Sequence, residues 1–243
     1  MDIQKILISF VKLLITKKKY MNRNEFNLYA KSNGVGSLKL FDYNKRIEDS
    51  MTPYILEERQ MNVTQIDIFS RLMGERIIWL AGVVDEQMSV VTQAQLMFLD
   101  SIDSTDITLH ISSPGGSVSS GLSIISVMDY ISSDVRTVNT SMAASMGAVL
   151  LGAGTKGKRS SLKYADTMLH SSSGNAGGNI HDARISYQEW EKKNDLLFNL
   201  LGEYCNKTPE QVKKDAERDL WLNPQEALDY GIIDEIIKNK KVK

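Results

Sequence analysis

The sequence predicts an α/β fold. Short apolar or strictly alternating runs recur along the chain and alternate with longer segments of helical periodicity, the pattern of a sheet covered by helices. The length of 243 residues accommodates one full-sized domain with a sizeable core. With 42% apolar and 24% charged residues, the composition is globular, not disordered or fibrous.

Residues 20–55 are polar and irregular and read as a mobile N-terminal arm. Ile77-Ile78-Trp79-Leu80, stopped by Gly82, reads as a buried strand. Residues 86–101 spread Met88, Val91, Ala94, Met97 and Leu99 over a wide apolar face, which predicts a helix. Ile107 to Ile111 alternates as a strand does and runs into the hard turn Ser113-Pro114-Gly115-Gly116. A helix over 117–132 aligns Val118, Leu122, Ile125 and Met128, and Val135–Val138 predicts the next strand. Small residues from Ser141 to Gly147 lead into a buried helix at Ala148–Leu151. Residues 154–159 read as a loop, and 167–170 as a brief strand ending at His170.

The Ser/Gly/Asn-rich stretch 171–181 is expected to be flexible. A long helix over 182–205 spaces Ala183, Tyr187, Trp190, Asn194, Leu197, Leu201 and Tyr204 by alternating steps of four and three. A seam of that length needs a partner surface. Thr208, Pro209 and Gln211 supply cap, first-turn proline and capping box for another helix. Asn223-Pro224 starts the last one, and Ile232-Ile233 with Ile236-Ile237 flank a closing strand region.

Lys plus Arg total 29 against 30 Asp plus Glu, a net charge of −1, so no general attraction to nucleic acid or an anionic membrane is expected. A single Cys excludes an internal disulfide framework and a Cys-cluster zinc site, and three His leave little for a metal centre. The apolar run Ile6–Ile15, broken by Lys12, is too short to span a bilayer and lacks a secretory cleavage site. It reads as a leader or, alternatively, as a basic amphipathic surface helix. Residues 238–243 read as a solvated basic tail.

Two strand-to-helix turns can carry chemistry. At Gly115-Gly116-Ser117 the glycines let backbone approach a ligand, although such a turn also occurs with no ligand at all. At Ala143-Ala144-Ser145-Met146-Gly147 small residues surround a serine at the start of a buried helix, as in a nucleophile elbow. The alternative is a serine that merely caps the helix. A nucleophilic serine needs a base. His170, at a strand end, is the best candidate; His110 lies on the polar side of its strand and His181 in a cap region. Asp166, Asp182, Asp215, Asp219 and Asp229 all qualify by type as the orienting carboxylate, and Asp219, beside the apolar Leu220-Trp221-Leu222, is expected to be half-buried. Oxyanion donors would be the Gly116 and Met146 amides.

Ser112-Ser-Pro-Gly-Gly-Ser-Val118, Met142-Ala-Ala-Ser-Met-Gly-Ala148, Gly154-Thr-Lys-Gly-Lys-Arg159, Met168-Leu-His170 and Glu217-Arg-Asp-Leu-Trp221 together resemble the proteolytic subunits of the Clp protease (ClpP) family. So do Tyr54-Ile-Leu-Glu-Glu58, Phe69-Ser-Arg-Leu72 and Tyr230-Gly-Ile-Ile-Asp234. The resemblance spans residues 52–237, taken as the peptidase domain, with 1–51 as an N-terminal extension.

It implies a serine endopeptidase with Ser145 as nucleophile, His170 as base, Asp219 as orienting carboxylate, and the Gly116 and Met146 amides as oxyanion hole. It also implies a crotonase-like fold of stacked ββα units with a protruding handle helix at 182–205. Further implications are a cytoplasmic homo-oligomer of two stacked heptameric rings, homomeric or mixed with a paralogue, with Glu217 and Arg218 between the rings. An AAA+ ATPase would thread unfolded proteins in. ATP would bind that partner, so this chain needs no cofactor and no metal.

The docking pocket for the ATPase would draw on Phe98, Thr108, His110, Tyr130, Leu162 and Ile237. Thr108 and His110 replace aromatic residues there, which predicts a more polar pocket. Ser141 replaces a glycine, a strained exchange if the position needs positive φ. Ser171-Ser172 replace Gln-Pro, which removes a rigid proline after the base.

Overall fold

The computed structural model describes residue 32 and residues 54–59, 62–174 and 179–238. The apolar run at 6–15, the arm at 20–31 and 33–53, and the tail at 239–243 lie outside the described residues. The chain divides into two compact units, Met1–Ile68 and Phe69–Lys243. In the first, β1 (Tyr54–Arg59) and β2 (Asn62–Asp67) pair antiparallel, with Tyr54 opposite Asp67. Tyr54 and Ile55 therefore belong to a strand, not to the irregular arm expected for them.

In the second unit the alternation of β4 (Ile107–Ser113) organises the core. Ile107, Leu109 and Ile111 point one way and are fully buried, while Thr108 and His110 point the other. Each such burial contributes about 1.5–3 kcal/mol. The sheet runs β3 (Ile77–Ala81), β4, β5 (Val135–Ala144), β6 (Arg159–Ser161), β9 (Glu235–Ile236), all parallel. Strand β7 (Asp166–Leu169) pairs parallel with β5, and β8 (Leu220–Leu222) pairs antiparallel with β7.

The helices are α1 (Ile68–Gly74), α2 (Glu86–Ile102), α3 (Val118–Tyr130), α4 (Met146–Gly152), α5 (Ile180–Cys205), α6 (Pro209–Asp215) and α7 (Pro224–Tyr230). Asp85 caps α2, accepting from the Met88 amide, and Ser117 caps α3, accepting from the Ser120 amide. These two helices add Leu96, Leu99, Ile124 and Ile125 to the same core as Leu109.

Several segments depart from the sequence expectation. Strand β5 does not stop at Val138 but continues through the small residues to Ala144. Its Thr137–Asn139 stretch pairs with β6 and its Met142–Ala144 stretch with β7. Ladder bonds on both sides outweigh the weak strand preference of Ser and Ala. Arg159 opens a strand instead of ending a loop. The short runs α1 and β8 carry no periodic signal long enough to announce them.

Helix α5 begins with Asn179, whose side chain accepts from the His181 and Asp182 amides, and ends at Asn206 in the left-handed conformation. Its expected seam is split. Of its residues Leu197 and Leu201 are buried, Ala183, Trp190, Asn194 and Tyr204 are half-buried and Tyr187 is exposed; off the seam, Phe198 is buried and Ile180 and Ile185 are exposed.

Arg159 locks the C-terminal part together. Its buried guanidinium donates to Asp234 Oδ1 at 2.6 Å and Oδ2 at 2.9 Å, to Tyr204 O at 2.9 Å and to Gly231 O at 3.0 Å. Burial opposes ionisation of Asp234, but the hydrogen bonds from Arg159 prevail and hold its carboxyl below the usual range.

Candidate active site

The registers of four strands converge on one place. Ser113 lies opposite Ala143, and Ala144 opposite Met168, all in parallel pairs. The turn at 114–116, Ser145 and His170 therefore leave the sheet side by side, at strand carboxyl ends, where parallel sheets place their sites. Leu169 lies opposite Leu220 in the antiparallel pair β7–β8, so the next residues outward are His170 and Asp219.

Ser145 has φ 54° and ψ −123°, a sparsely populated conformation for a side-chain-bearing residue. Such strain costs about 1–3 kcal/mol and persists only where neighbours impose it. The Ser145 amide donates to Met168 O at 2.9 Å, and its carbonyl accepts from the Ala148 and Val149 amides. Its side chain makes no capping bond. The helix-cap alternative is thereby removed, and the hydroxyl is left for other work.

His170 shares a small cavity with Ser145, Met146, Val149 and Leu197. Its Nδ1 lies 3.6 Å from Asp219 Oδ1, and the Asp219 side chain is 63% exposed, not half-buried, because it sits just outside the short strand β8. Among the described residues no hydrogen bond joins Ser145 Oγ to His170, so the three groups are assembled but slack.

The other aspartates have different partners. Asp182 binds Asn179 at the start of α5, Asp215 accepts from Gln211 and Tyr230, and Asp229 accepts from Gln225. Asp166 is exposed on β7. Among the described residues, Asp219 is the carboxylate paired with His170.

The turn before α3 presses on the serine. Gly115 has φ +94°, and a Cβ there would sit 2.7 Å from both Ala144 O and Ser145 Cβ. The loop before α2 grips this turn from the other side: the Val84 amide donates to Gly115 O at 2.9 Å, and Val84 O accepts from the Ser117 amide at 2.7 Å. Among the described residues the Gly116 and Met146 amides donate to no protein group, which leaves both available to an oxyanion.

The segment after His170 is not loose at its start, contrary to the expectation for 171–181. Ser171 N–H donates to Ala216 O at 3.0 Å, and Ser172 N–H and Oγ–H donate to Asn194 Oδ1 at 3.0 and 2.9 Å. Residues 175–178 lie outside the described residues. Ser141 is unstrained. It sits within β5, has no positive φ, and its hydroxyl pairs with that of Ser112 at 2.6 Å.

Glu217 and Arg218 are exposed immediately before Asp219. Of the expected docking residues, Thr108, His110, Leu162 and Ile237 follow one sheet face by period two, since His110 aligns with Val138, Ser160 and Glu235. Phe98 and Tyr130 project, exposed, from α2 and α3. His110, on the face opposite the core, is half-buried. It stacks on Trp79 at 4.9 Å and 8°, its Nδ1 has no hydrogen-bond partner among the described residues, and burial pushes its pKa down. The Trp79 contact escaped the sequence reading, although β3 and β4 as adjacent strands predict a cross-strand pair there.

Among the described residues no three His, Cys, Asp or Glu side chains group as metal ligands, and no helix is long and apolar enough to cross a membrane.

The family described as Clp protease matches residues 58–240. The chain is 45% identical to an ATP-dependent Clp protease proteolytic subunit of Bacteroides fragilis over 219 residues, 89% of this chain and 100% of that one. A subunit of the same description from Porphyromonas gingivalis is 45% identical over 221 residues, 90% of this chain and 100% of that one. One from Streptococcus pyogenes is 43% identical over 196 residues, 79% and 100%. The chain belongs to the Clp protease family. The Clp protease match encloses Gly116, Ser145, Met146, His170 and Asp219, and the parallel α/β sheet is consistent with the crotonase-like fold expected for it.

Proposed function

We propose that the chain is the serine endopeptidase subunit of an ATP-dependent Clp protease, with residues 52–237 as its catalytic domain. The observation that carries this reading is the convergence of Ser145, His170 and Asp219 on one end of the sheet, beside two unused backbone donors. His170 takes the Ser145 hydroxyl proton as Oγ attacks a peptide carbonyl. The Gly116 and Met146 amides hold the resulting oxyanion, each donor contributing about 3 kcal/mol in such sites. Collapse of the tetrahedral intermediate breaks the C–N bond, and the imidazolium returns the proton to the departing amine. A water, deprotonated by the same imidazole, then releases the acyl group from Ser145. Asp219 keeps the imidazole in the tautomer this cycle needs.

In this reading the chain acts in the cytoplasm as two stacked heptameric rings, fed with unfolded proteins by an AAA+ ATPase that binds the ATP. The exposed apolar part of α5 and the exposed Glu217 and Arg218 are available for ring-to-ring contact. Because those two residues adjoin Asp219, assembly would tighten the slack triad. Phe98, Thr108, His110, Tyr130, Leu162 and Ile237 would receive the ATPase.

Two measurements test the main reading. Fluorophosphonate labels the wild-type chain at Ser145, and Ser145→Ala abolishes both labelling and short-peptide cleavage while the native particle mass is unchanged. Wild-type cleavage that survives Ser145→Ala refutes the assignment. A second reading, a weakly active subunit that completes a paralogue's ring, is favoured by the 3.6 Å His170–Asp219 gap. It predicts cleavage only after mixing with that paralogue.

A further inference from the structure

The wall of the catalytic cavity contains a clamp that the proposed mechanism does not use. Ser172 and Asn194 line that cavity together with Ser145 and His170. They also line a second cavity of about 300 Å³ bounded by Tyr187, Trp190, Glu191 and Lys213. Between the two cavities runs a directed set of hydrogen bonds. The Trp190 indole N–H donates to Ser172 Oγ at 2.7 Å, and Ser172 Oγ–H donates in turn to Asn194 Oδ1 at 2.9 Å. The Ser172 amide donates to the same Oδ1 at 3.0 Å. A backbone amide can only donate, so the atom it meets on Asn194 is the carbonyl oxygen, and the carboxamide orientation is fixed.

This clamp is one of two. Ser171 N–H is tied to Ala216 O, three residues before Asp219. The two residues that follow His170 are thus anchored to different elements, one to the segment carrying the carboxylate and one to α5. Among the described residues the His170 side chain makes no hydrogen bond, and its carboxylate contact, to Asp219, is 3.6 Å long. The backbone on its C-terminal side is held at Ser171 by Ala216 O and at Ser172 by the Asn194 side chain.

We propose that Asn194 is a positioning residue of the peptidase site. Its Oδ1 gathers both donors of Ser172 and so fixes where the His170 imidazole stands relative to Ser145, while Trp190 orients the Ser172 hydroxyl for that contact. Asn194 touches no reacting atom. The inference rests on the reading of Ser145 and His170 as nucleophile and base. Displacing a catalytic group by about 1 Å costs on the order of a hundredfold in rate, which is the scale of effect available to such a clamp.

The test uses the full chain with Asn194→Leu, which removes the acceptor at similar volume, and Asn194→Asp, which keeps it. Hydrogen exchange read by mass spectrometry follows the Ser172 amide, and peptide cleavage is measured per folded particle. Asn194→Leu is expected to speed exchange at Ser172 and to lower kcat about 10- to 100-fold with KM changed less than about twofold. Asn194→Asp is expected to keep the protection and to recover most of kcat, and Trp190→Phe to give a smaller loss than Asn194→Leu. Wild-type kcat in Asn194→Leu overturns the proposal, and so does an Asn194→Asp variant as impaired as Asn194→Leu. A wild-type chain that fluorophosphonate does not label overturns the peptidase reading and this inference with it. A labelled wild type with an unimpaired Asn194→Leu overturns this inference alone.

Discussion

His170 faces Asp219, Nδ1 to Oδ1 at 3.6 Å, because the antiparallel pairing of Leu169 with Leu220 makes them the next pair outward. Strand register thus does what a direct hydrogen bond does in a tightly aligned triad. The Asp219 side of the contact is exposed, so charge attraction across it is screened, and its main value is orientation of the ring. Asp219→Asn preserves shape but offers an amide donor to the imidazole and favours the wrong tautomer. It is expected to lower kcat by about 10²–10⁴ with little change in KM, read by fluorogenic peptide hydrolysis. An unchanged kcat would remove Asp219 from the mechanism.

Gly115 tests the contact between the two turns. A methyl group there has no room against Ala144 O and Ser145 Cβ, and its φ of +94° penalises any side chain. Gly115→Ala is expected to abolish fluorophosphonate labelling or to prevent folding. Gly157 is the control: its φ is +84°, but nothing lies within 4 Å of a Cβ built on it. Gly157→Ala isolates the backbone cost, about 1 kcal/mol, and is expected to fold and to be labelled at the wild-type rate. Equal damage in the two variants would show that backbone strain, not crowding of Ser145, is what Gly115 relieves.

Arg159 gives a stability prediction. Replacing it by Met leaves the Asp234 carboxylate partly buried without its cation, and leaves Tyr204 O and Gly231 O without donors. Breaking a buried pair from one side costs about 3–5 kcal/mol. Arg159→Met is expected to lower the urea midpoint accordingly, and adding Asp234→Leu to recover part of the loss. A single variant as stable as the wild type would show that the pair contributes little.

The site was legible in the sequence where residue type and turn chemistry coincide. Ser145, His170 and the glycine turn each mark a strand end, and strand ends are readable from alternation and small residues. Five aspartates remained open because a carboxylate's role depends on a cross-strand register, and β8 is too short to show one. The clamp at Ser172 was read as flexibility, since a serine-rich stretch gives no hint of an acceptor 22 residues away on α5. The same limit hid the Trp79–His110 stack: a period of two gives the face a residue occupies, not the neighbour across the ladder.

His110 makes that stack measurable through pH. Burial against Trp79 disfavours the imidazolium, so the folded chain holds its proton less tightly than the unfolded chain does. The unfolded state therefore binds more protons in the acid range, and stability rises with pH there. The contribution is fully present above the ordinary imidazole value near 6.5 and is lost as the pH falls below it. His110→Phe keeps an aromatic ring on Trp79 and removes the titration. Between about pH 7.5 and about pH 5 the melting temperature of the variant is expected to fall less than that of the wild type. Equal falls in the two proteins would mean that His110 accepts its proton in the folded chain as readily as in the unfolded one.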